Sequence, residues 1–243
     1  MSTSKIIKVN ATRSTNDKVK MLIKSKKILS GDLIIAKYQY GGRGQLMNKW
    51  YSSYGKNLLC SLFYKPLDIN ADRTFIINQA VSLAVLKTIR KFNNEKCLIK
   101  WPNDILSVNK KIAGILVENS LISGKLSHSI IGVGINVNQV FFKSLPNATS
   151  IKKTSNKNIV VERVLDELIN NYKYYFTKMN DIKYINDEYN QNIFGKKGCR
   201  FILNGKVYIG KIISISNTGI IKLNTNSEEI GNYDSRQVKL LYD

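Results

Sequence analysis

The stretch CLIKWPNDILSVNKKIAGILVE, residues 97–118, contains three short apolar runs separated by two turns. Cys97–Trp101, Asp104–Val108 and Ile112–Glu118 have the length and composition of strands, while residues 109–111 (NKK) mark a turn between the last two. Strands that follow one another at such short spacing pair as hairpins. The stretch therefore predicts an antiparallel or mixed sheet.

The segments on either side supply further strands and several helices. Leu58–Tyr64 is a continuous apolar run, and Arg73–Phe92 carries apolar residues at helical spacing. Further strands are predicted at Asp32–Tyr38 and Ser127–Val137, and further helices at Asn16–Leu29, Ile159–Met179 and Ile182–Asn190. Because no strand–helix unit repeats, we predict an α+β fold for residues 1–192, with a mixed or antiparallel sheet and helices to one side.

The sequence changes character after Gly195, where short β runs follow one another with little between them. The runs are CRFILN, KVYIGKIISIS, GIIKLNT and QVKLLYD, and they are separated by NG, by NTG and by a charged loop. This pattern predicts a small antiparallel barrel. We therefore expect two domains, residues 1–192 and residues 193–243.

Composition excludes several functional classes. The chain has 243 residues with 43% hydrophobic and 23% charged residues, which is typical of a globular protein. A single histidine, His128, excludes a zinc site of several histidines and leaves only one residue that could be the base of a Ser/His/Asp triad. Cys60, Cys97 and Cys199 lie far apart without CxxC spacing, which favours a reducing cytoplasm. No apolar run is long enough to span a membrane.

The net charge of +21 suggests an acidic partner, but the choice of basic residue weakens that interpretation. The chain has 31 Lys and 7 Arg, whereas phosphate and base recognition favour the rigid fork of arginine. The lysines are spread along the whole chain. A compositional bias toward Lys, Asn, Ile and Tyr is therefore the preferred interpretation, and a nucleic-acid footprint is the alternative.

Two segments carry residues that could bind an anion. Gly41, Gly42 and Gly44 surround Arg43, so backbone N–H groups and a permanent cation can converge there, although an ordinary mobile loop explains the glycines equally well. The segment Lys100–Asp104, KWPND, places a cation, an amide and a carboxylate at a bend between two strands. The alternative for the second segment is a turn that bonds only its own backbone.

Glycines also interrupt two of the predicted strands. KIAGILVE, residues 111–118, and GVGINVN, residues 132–138, each place glycine inside an apolar run. A missing side chain in a strand lets a ligand or another backbone approach closely. The two strands could therefore wall a pocket, or they could mark a close-packed crossing of the sheet.

Taken in order, these motifs resemble the catalytic domain of biotin–protein ligases. The matching residues are Ser14-Thr15-Asn16, YQYGGRGQ with KW, GKNL, KWPNDI, KIAGILVE and GVGINVN, over about residues 10 to 140. The β-rich tail resembles the small SH3-like C-terminal domain of that family. The resemblance implies a catalytic fold like that of class II aminoacyl-tRNA synthetases.

The resemblance implies a two-step reaction in which biotin and ATP form biotinyl-5′-adenylate and a lysine of a biotin carboxyl carrier domain then accepts the biotinyl group. Arg43 and Lys100 would be catalytic, because two cations can offset the charge where a carboxylate meets a triphosphate. The implied biotin-binding residues are Ser14, Thr15, Asn16, Gln39, Gly42, Arg43, Gly44, Gln45, Lys100, Gly114 and Leu116. The implied nucleotide-binding residues are Arg43, Trp50, Asn103 and Asn136, with simple core packing as the alternative for Trp50. Asp104 could hold Mg²⁺ directly or through water.

The glycine-rich loop departs from the family pattern in one respect. The best-known relatives read GRGR-R-G-R-KW, whereas this chain reads GRGQLMNKW, with Gln45 replacing an arginine and Leu46 and Met47 replacing a charged pair. A loop that closes over the adenylate keeps water out and retains the intermediate. We therefore expect the less charged loop to release biotinyl-adenylate more readily.

Further expectations concern partners. Only about a dozen residues precede Ser14, so we expect no three-helix DNA-reading module and no specific DNA binding. A monomer or homodimer in the cytoplasm, without membrane association, is expected. The alternatives are a lipoate ligase or octanoyltransferase, which attach an acyl group to a carrier lysine, and a basic nucleic-acid-binding module built on the C-terminal barrel.

Overall fold

Two sheets organise the chain in the computed structural model, which describes residues 5–45, 48–66, 68–143, 145–225 and 230–242. The first sheet has seven strands in the order β1-β2-β3-β7-β6-β5-β4. These strands are β1 Ile6–Thr12, β2 Leu33–Gln39, β3 Leu58–Tyr64, β4 Cys97–Lys100, β5 Asp104–Ser107, β6 Lys110–Ile122 and β7 Lys125–Ile135. All neighbours pair antiparallel except β1 and β2, which are parallel. The sheet is therefore mixed, as the sequence predicts.

The second sheet has five strands, all antiparallel, in the order β11-β10-β9-β8-β12. Its strands are β8 Cys199–Leu203, β9 Lys206–Ile215, β10 Ile221–Thr225, β11 Ile230–Tyr233 and β12 Val238–Leu241. The first and last of these strands are neighbours, which fits the predicted small SH3-like barrel. Apolar side chains of this sheet, such as Phe201 and Leu223, belong to the same buried cluster as the large sheet. The domain boundary at residue 193 stays a prediction.

Helices cover both faces of the large sheet. The helices are α1 Thr15–Lys24, α2 Phe75–Phe92, α3 Ile151–Ser155, α4 Val161–Lys178 and α5 Ile182–Gln191, with a short 3₁₀ helix at Ala71–Arg73. Leu33, Leu62 and Ile131 face the main core with α2, α4 and α5. Their strand neighbours Ile34, Phe63 and Ile130 face the other way and pack with Val19 of α1.

The predicted α+β class is confirmed, with one difference in the position of a helix. The prediction of helices to one side holds for α2, α4 and α5, whereas α1 lies on the opposite face. The reason is that both faces of β2, β3 and β7 carry apolar residues, so both need cover. This arrangement places the beginning of α1 beside β3 and β7, where the candidate site lies. No described helix is long and apolar enough to cross a membrane.

Candidate active site

A cavity of about 810 Å³ lies between the large sheet, the glycine-rich loop and the second sheet. Most of the residues that the sequence singles out line it: Ser14, Thr15, Asn16, Gln39, Arg43, Gly44, Gln45, Trp50, Lys100, Asn103, Asp104, Gly114 and Leu116. Two do not, namely Gly42 and Asn136. The volume is within the usual range for a small-molecule site. The fold therefore brings motifs from distant parts of the chain to one cavity, while their individual roles stay predictions.

The β4–β5 hairpin and β6 place two lysines around one carboxylate. Lys100 and Asp104 are opposite each other in the hairpin, with the Lys100 Nζ atom 3.6 Å from Asp104 Oδ2. The Nζ atom of Lys111, from β6, lies 2.6 Å from Asp104 Oδ1. The side chains are 12% exposed for Lys100, 10% for Asp104 and 30% for Lys111. The cluster therefore carries a net positive charge at a largely buried position.

Burial changes the acid–base behaviour of this cluster. Desolvation lowers the pKa of Lys100, partly offset by the charge of Asp104, and the neighbouring ammonium of Lys111 lowers it further. The Lys100 Nζ atom also lies 4.8 Å from the centre of the Tyr242 ring, which follows β12 of the second sheet. Burial raises the pKa of that tyrosine to about 12, so its hydroxyl stays protonated at neutral pH.

The surroundings of Asp104 do not suit a direct ligand of a magnesium ion. Each of its oxygens faces a lysine ammonium group, at 2.6 Å and 3.6 Å, so an added divalent cation would meet two positive charges. Within the described parts of the chain, no three His, Cys, Asp or Glu side chains come together as a group that could hold a metal. We derive no step through a metal ion held by the protein, and a contact through water stays a prediction.

A chain of hydrogen bonds joins the start of α1 to β2 and β3. The backbone N–H of Thr15 donates to Gln39 Oε1 at 2.7 Å, and the Thr15 hydroxyl lies 3.1 Å from the same oxygen. The Ser61 hydroxyl on β3 lies 2.5 Å from Asn16 Oδ1 and 2.6 Å from Thr15 Oγ1. These side chains are held in place by one another and offer both donors and acceptors to the cavity.

Arg43 is the most strongly ion-paired of the predicted cations. Its Nη2 atom lies 2.5 Å from Asp17 Oδ1 and 3.5 Å from Glu118 Oε1. Glu118 also accepts a hydrogen bond from Lys20 at 2.7 Å. Arg13, whose side chain is mostly exposed, lies 3.9 Å from the other oxygen of Asp17, so three cations here share two carboxylates. A substrate anion at Arg43 would therefore compete with two carboxylates.

Glycines on paired strands make room for Trp50 and Asn16. Gly114 of β6 pairs with Gly134 of β7, and a Cβ atom would lie 2.9 Å from Trp50 Cζ3 at the first and 2.6 Å from Trp50 Cε2 at the second. A Cβ atom at Gly132 would overlap Asn16 Oδ1. The indole therefore packs closely against the two glycines and forms part of the cavity wall. For Trp50, the observed packing is with the protein itself.

Three further predicted residues have structural contacts. Gly42 lies beneath Trp50, whose backbone N–H donates to the Gly42 carbonyl at 2.9 Å. Asn103 donates from Nδ2 to the Ile115 carbonyl at 2.8 Å, which ties the hairpin to β6. Asn136 is buried and donates to the Thr149 carbonyl. Leu46 and Met47 lie outside the described residues.

Several residues at the site were missed by the sequence reasoning. Lys111, Ser61, Asp17 and Glu118 contact the predicted residues directly. The available signal for Lys111 was its place at the start of the glycine-bearing strand. Glu118 is the last residue of the same segment, KIAGILVE, but was given no role there. For Ser61 and Asp17, no motif distinguishes them from ordinary strand or surface residues. The second sheet contributes Asn204, Gly205, Ser235, Arg236, Gln237 and Lys239 to the cavity lining.

The cysteines and the histidine take no part in the cavity. Cys60, Cys97 and Cys199 are free and buried, and burial raises the pKa of Cys60 to about 12 and that of Cys199 to about 11. Burial and the nearby Lys65 lower the pKa of His128, whose ring packs edge-on against Phe63. None of these four side chains lines the cavity.

The sequence pattern of this site matches a known family. The model of the biotin/lipoate A/B protein ligase family matches residues 9–136, which is more than half of the chain. The chain belongs to this family. The matched residues include the second half of β1, all of β2 to β7 and every predicted site residue, so the family pattern covers nearly all of the large sheet and its side of the cavity.

Two relatives of this chain are named as ligases. The chain is 34% identical over 205 residues to the bifunctional ligase/repressor BirA of Bacillus subtilis, which covers 81% of this chain and 62% of that protein. It is 29% identical over 167 residues to the biotin–[acetyl-CoA-carboxylase] ligase of Mycobacterium tuberculosis, covering 66% of this chain and 61% of that protein. The chain thus spans less than two thirds of the length of these two relatives.

The solved structures show the same fold over the whole chain. The biotin protein ligase of Aquifex aeolicus, solved in complex with biotin and ATP, superposes with a TM-score of 0.81 at 22% identity. The match covers 99% of this chain and 100% of that one, so it includes the second sheet. The two-sheet architecture is therefore that of a biotin protein ligase structure.

Proposed function

We propose that this protein activates biotin with ATP as biotinyl-5′-adenylate and transfers the biotinyl group to a lysine of a biotin carboxyl carrier domain. The observation that carries the proposal is the single cavity that joins the neutral polar network at Asn16 to the positive cluster at Lys100 and Lys111. Such a cavity suits a molecule with a neutral polar ring at one end and an anionic group at the other. The biotin ligases among its relatives support the same substrate.

The first step requires positive charge where the two substrates meet. A carboxylate oxygen of biotin attacks the α-phosphorus of ATP, and the bond to the bridging oxygen of pyrophosphate breaks. Lys100 and Lys111 would stabilise the negative charge that develops on the phosphate oxygens, because both are fixed by Asp104 before the substrate arrives. Arg43 would bind the anionic junction after exchanging its bonds to Asp17 and Glu118.

In the second step, the neutral amine of the acceptor lysine attacks the acyl carbon, AMP leaves, and the amine loses a proton. The acceptor must reach the adenylate through the mouth of the cavity. Part of that mouth is formed by the second sheet, where Arg236, Gln237 and Lys239 are exposed. An acceptor with an acidic surface would be attracted by the net charge of +21, and this attraction would weaken with salt.

The polar network supports biotin as the first substrate. The ureido ring of biotin carries two N–H donors and one carbonyl acceptor, which match the mixed donors and acceptors of Thr15, Asn16 and Gln39. Leu116 and the backbone at Gly114 and Gly132 would face the apolar part of the molecule. The adenosine would lie toward Trp50 and Asn103, as the resemblance implies, and Asn136 would act from outside the cavity lining.

The same family includes lipoate-attaching enzymes, which are the closest alternative. Octanoyltransferases use a cysteine nucleophile, whereas here the three cysteines lie outside the cavity lining and burial raises the pKa of each thiol. A ligase that uses lipoate and ATP would differ from a biotin ligase in the ring of its substrate, which is the part that the polar network would bind.

The proposal is tested by measuring ATP–pyrophosphate exchange in the presence of biotin, or of lipoate, with Mg²⁺ supplied. We expect exchange with biotin and transfer of biotin to a carrier domain. Arg43→Ala and Lys100→Ala should each lower exchange by about 10²–10³-fold. Exchange with lipoate alone would assign the other branch of the family, and exchange with neither would refute the proposal. A monomeric or dimeric state, a cytoplasmic location and the lack of specific DNA binding remain predictions.

A further inference from the structure

The carboxylate of Glu118 connects three residues at one end of the candidate site. Its Oε2 atom accepts a hydrogen bond from Asn16 Nδ2 at 2.8 Å, and its Oε1 atom accepts one from Lys20 Nζ at 2.7 Å. The same Oε1 atom lies 3.5 Å from Arg43 Nη2. Glu118 is 25% exposed and does not line the main cavity, whereas Asn16 and Arg43 do. It lines a smaller adjoining pocket with Arg43 and Leu116, and therefore lies beside the main cavity and not in its wall.

Asn16 is held on all sides. It is 2% exposed, its Oδ1 atom lies 2.5 Å from the Ser61 hydroxyl, and its amide packs on Gly132, where a Cβ atom would overlap it. Its nitrogen donates to Glu118 and lies 3.4 Å from the Leu116 carbonyl. An ionised carboxylate can only accept hydrogen bonds, so Glu118 holds the Asn16 Nδ2 atom toward itself. The Asn16 Oδ1 atom is then left on the other side, beside Gly132.

We propose that Glu118 is a positioning residue that sets the orientation of the Asn16 carboxamide, so that Asn16 presents a hydrogen-bond acceptor to an N–H group of the substrate. This inference rests on the proposed function, because it assigns the substrate class to compounds with a ring N–H donor. The dithiolane ring of lipoate has no such donor. Glu118 thus contributes to the choice between the two substrates of the family without touching either.

The ionic contacts of Glu118 keep its carboxylate ionised, so that it can only accept hydrogen bonds. Burial alone would raise the pKa of Glu118, but hydrogen bonds from Lys20 and Asn16 and the charges of Lys20 and Arg43 lower it below its ordinary value. The carboxylate therefore stays ionised at neutral pH. Protonation, which would add a donor and permit the reversed amide, is disfavoured.

Two variants test the positioning in different ways. Glu118→Gln keeps the length of the side chain but removes the charge and adds a donor; its single oxygen would face Lys20 and Arg43, which leaves its NH2 group toward Asn16. Glu118→Asp keeps the charge and shortens the side chain by one methylene, so that it no longer reaches Asn16. If Glu118 positions Asn16, each variant should raise the KM for biotin about tenfold with little change in the KM for ATP. A KM for biotin within about threefold of the wild-type value in either variant would overturn the inference.

The matched control is Lys20→Ala, which removes the ion pair to Glu118 but not the bond to Asn16. It should leave the KM for biotin within about twofold. In an Asn16→Ala background, Glu118→Asp should have no further effect on biotin, because the group that it orients is gone. An undiminished effect in that background would overturn the inference. Wild-type protein that exchanges no pyrophosphate with biotin would instead refute the proposed function.

Discussion

Replacing Lys111 with alanine is the most direct test of the positive cluster. The variant removes one of the two ammonium groups around Asp104, so the net charge of the cluster falls from +1 to zero. Two unit charges 4 Å apart interact by about 4 kcal/mol at an effective dielectric constant of about 20. Because the Lys111 side chain is 30% exposed, solvent screens part of this. We expect a loss of about 3 kcal/mol of transition-state stabilisation, or about 10²-fold in rate.

The assay is the initial rate of biotin-dependent ATP–pyrophosphate exchange, together with the equilibrium binding of biotin without ATP. Lys111→Ala should lower the rate about 10²-fold and change biotin binding much less, since the charge develops only on the phosphate. The matched control is Lys110→Ala, which removes the neighbouring exposed lysine that does not line the cavity. A rate for Lys111→Ala within threefold of the control would refute the reasoning, because total charge would then explain the result.

Three other outcomes follow from the site. Burial lowers the pKa of Lys100, so its side chain loses its proton at a lower pH than an ordinary lysine, whose pKa is 10.5. The exchange rate should therefore decline at alkaline pH in pH–rate profiles. Asp104→Asn should move this decline to lower pH, and Lys100→Arg should abolish it. Gly134→Ala should displace Trp50 and destabilise the fold by about 1–3 kcal/mol in denaturant titrations, and an unchanged midpoint would contradict the packing described. Gln45→Arg should reduce the free biotinyl-adenylate released per turnover, and equal release from both proteins would reject the leakage hypothesis.

The strands nearest the site were predictable because their pattern is strictly local. β3 has the predicted bounds, and β4, β5 and β7 begin or end within two residues of them. Apolar runs bounded by Pro, Asn and Gly identify buried strands whatever they pair with. The tertiary environment adds the order of the strands, which no single segment encodes.

Elements at the edges of the fold were missed or misjudged for physical reasons. β1 and β11 are edge strands with mixed polar sequence, and the charged stretch between GIIKLNT and QVKLLYD, which contains β11, was interpreted as a loop. α1 ends at Lys24 and not at Leu29, because Lys26 adopts a positive φ of 55°. Such a helix end is usually marked by a glycine in the sequence, and here there is none. The short helix α3 lies in a lysine-rich stretch that was interpreted as a polar loop, and the Ser150 hydroxyl caps it.

At the candidate site, motifs in the sequence identified some residues but not the residues that contact them. Motifs identified Lys100, Asp104 and Arg43, because each lies in a segment with unusual glycine or proline content. Their partners Lys111 and Glu118 lie on one strand, and only the hairpin register and the packing of α1 bring them to these side chains. Residue spacing along the chain cannot report such contacts, since they depend on three-dimensional pairing.

The two ends of the cavity differ in how readily they accept an anion. At the Lys100 end, two ammonium groups share one carboxylate, so unbalanced positive charge is present before any ligand binds. At the Arg43 end, Arg43 is already paired with both Asp17 and Glu118, so an anion reaches its guanidinium only by displacing a carboxylate, and the additional charge of Arg13 is on an exposed side chain. A triphosphate, with several negative charges, would therefore be drawn first to the lysines. Biotin, with a single carboxylate, would depend more on its ring for affinity, which makes the orientation of Asn16 the feature on which its recognition rests.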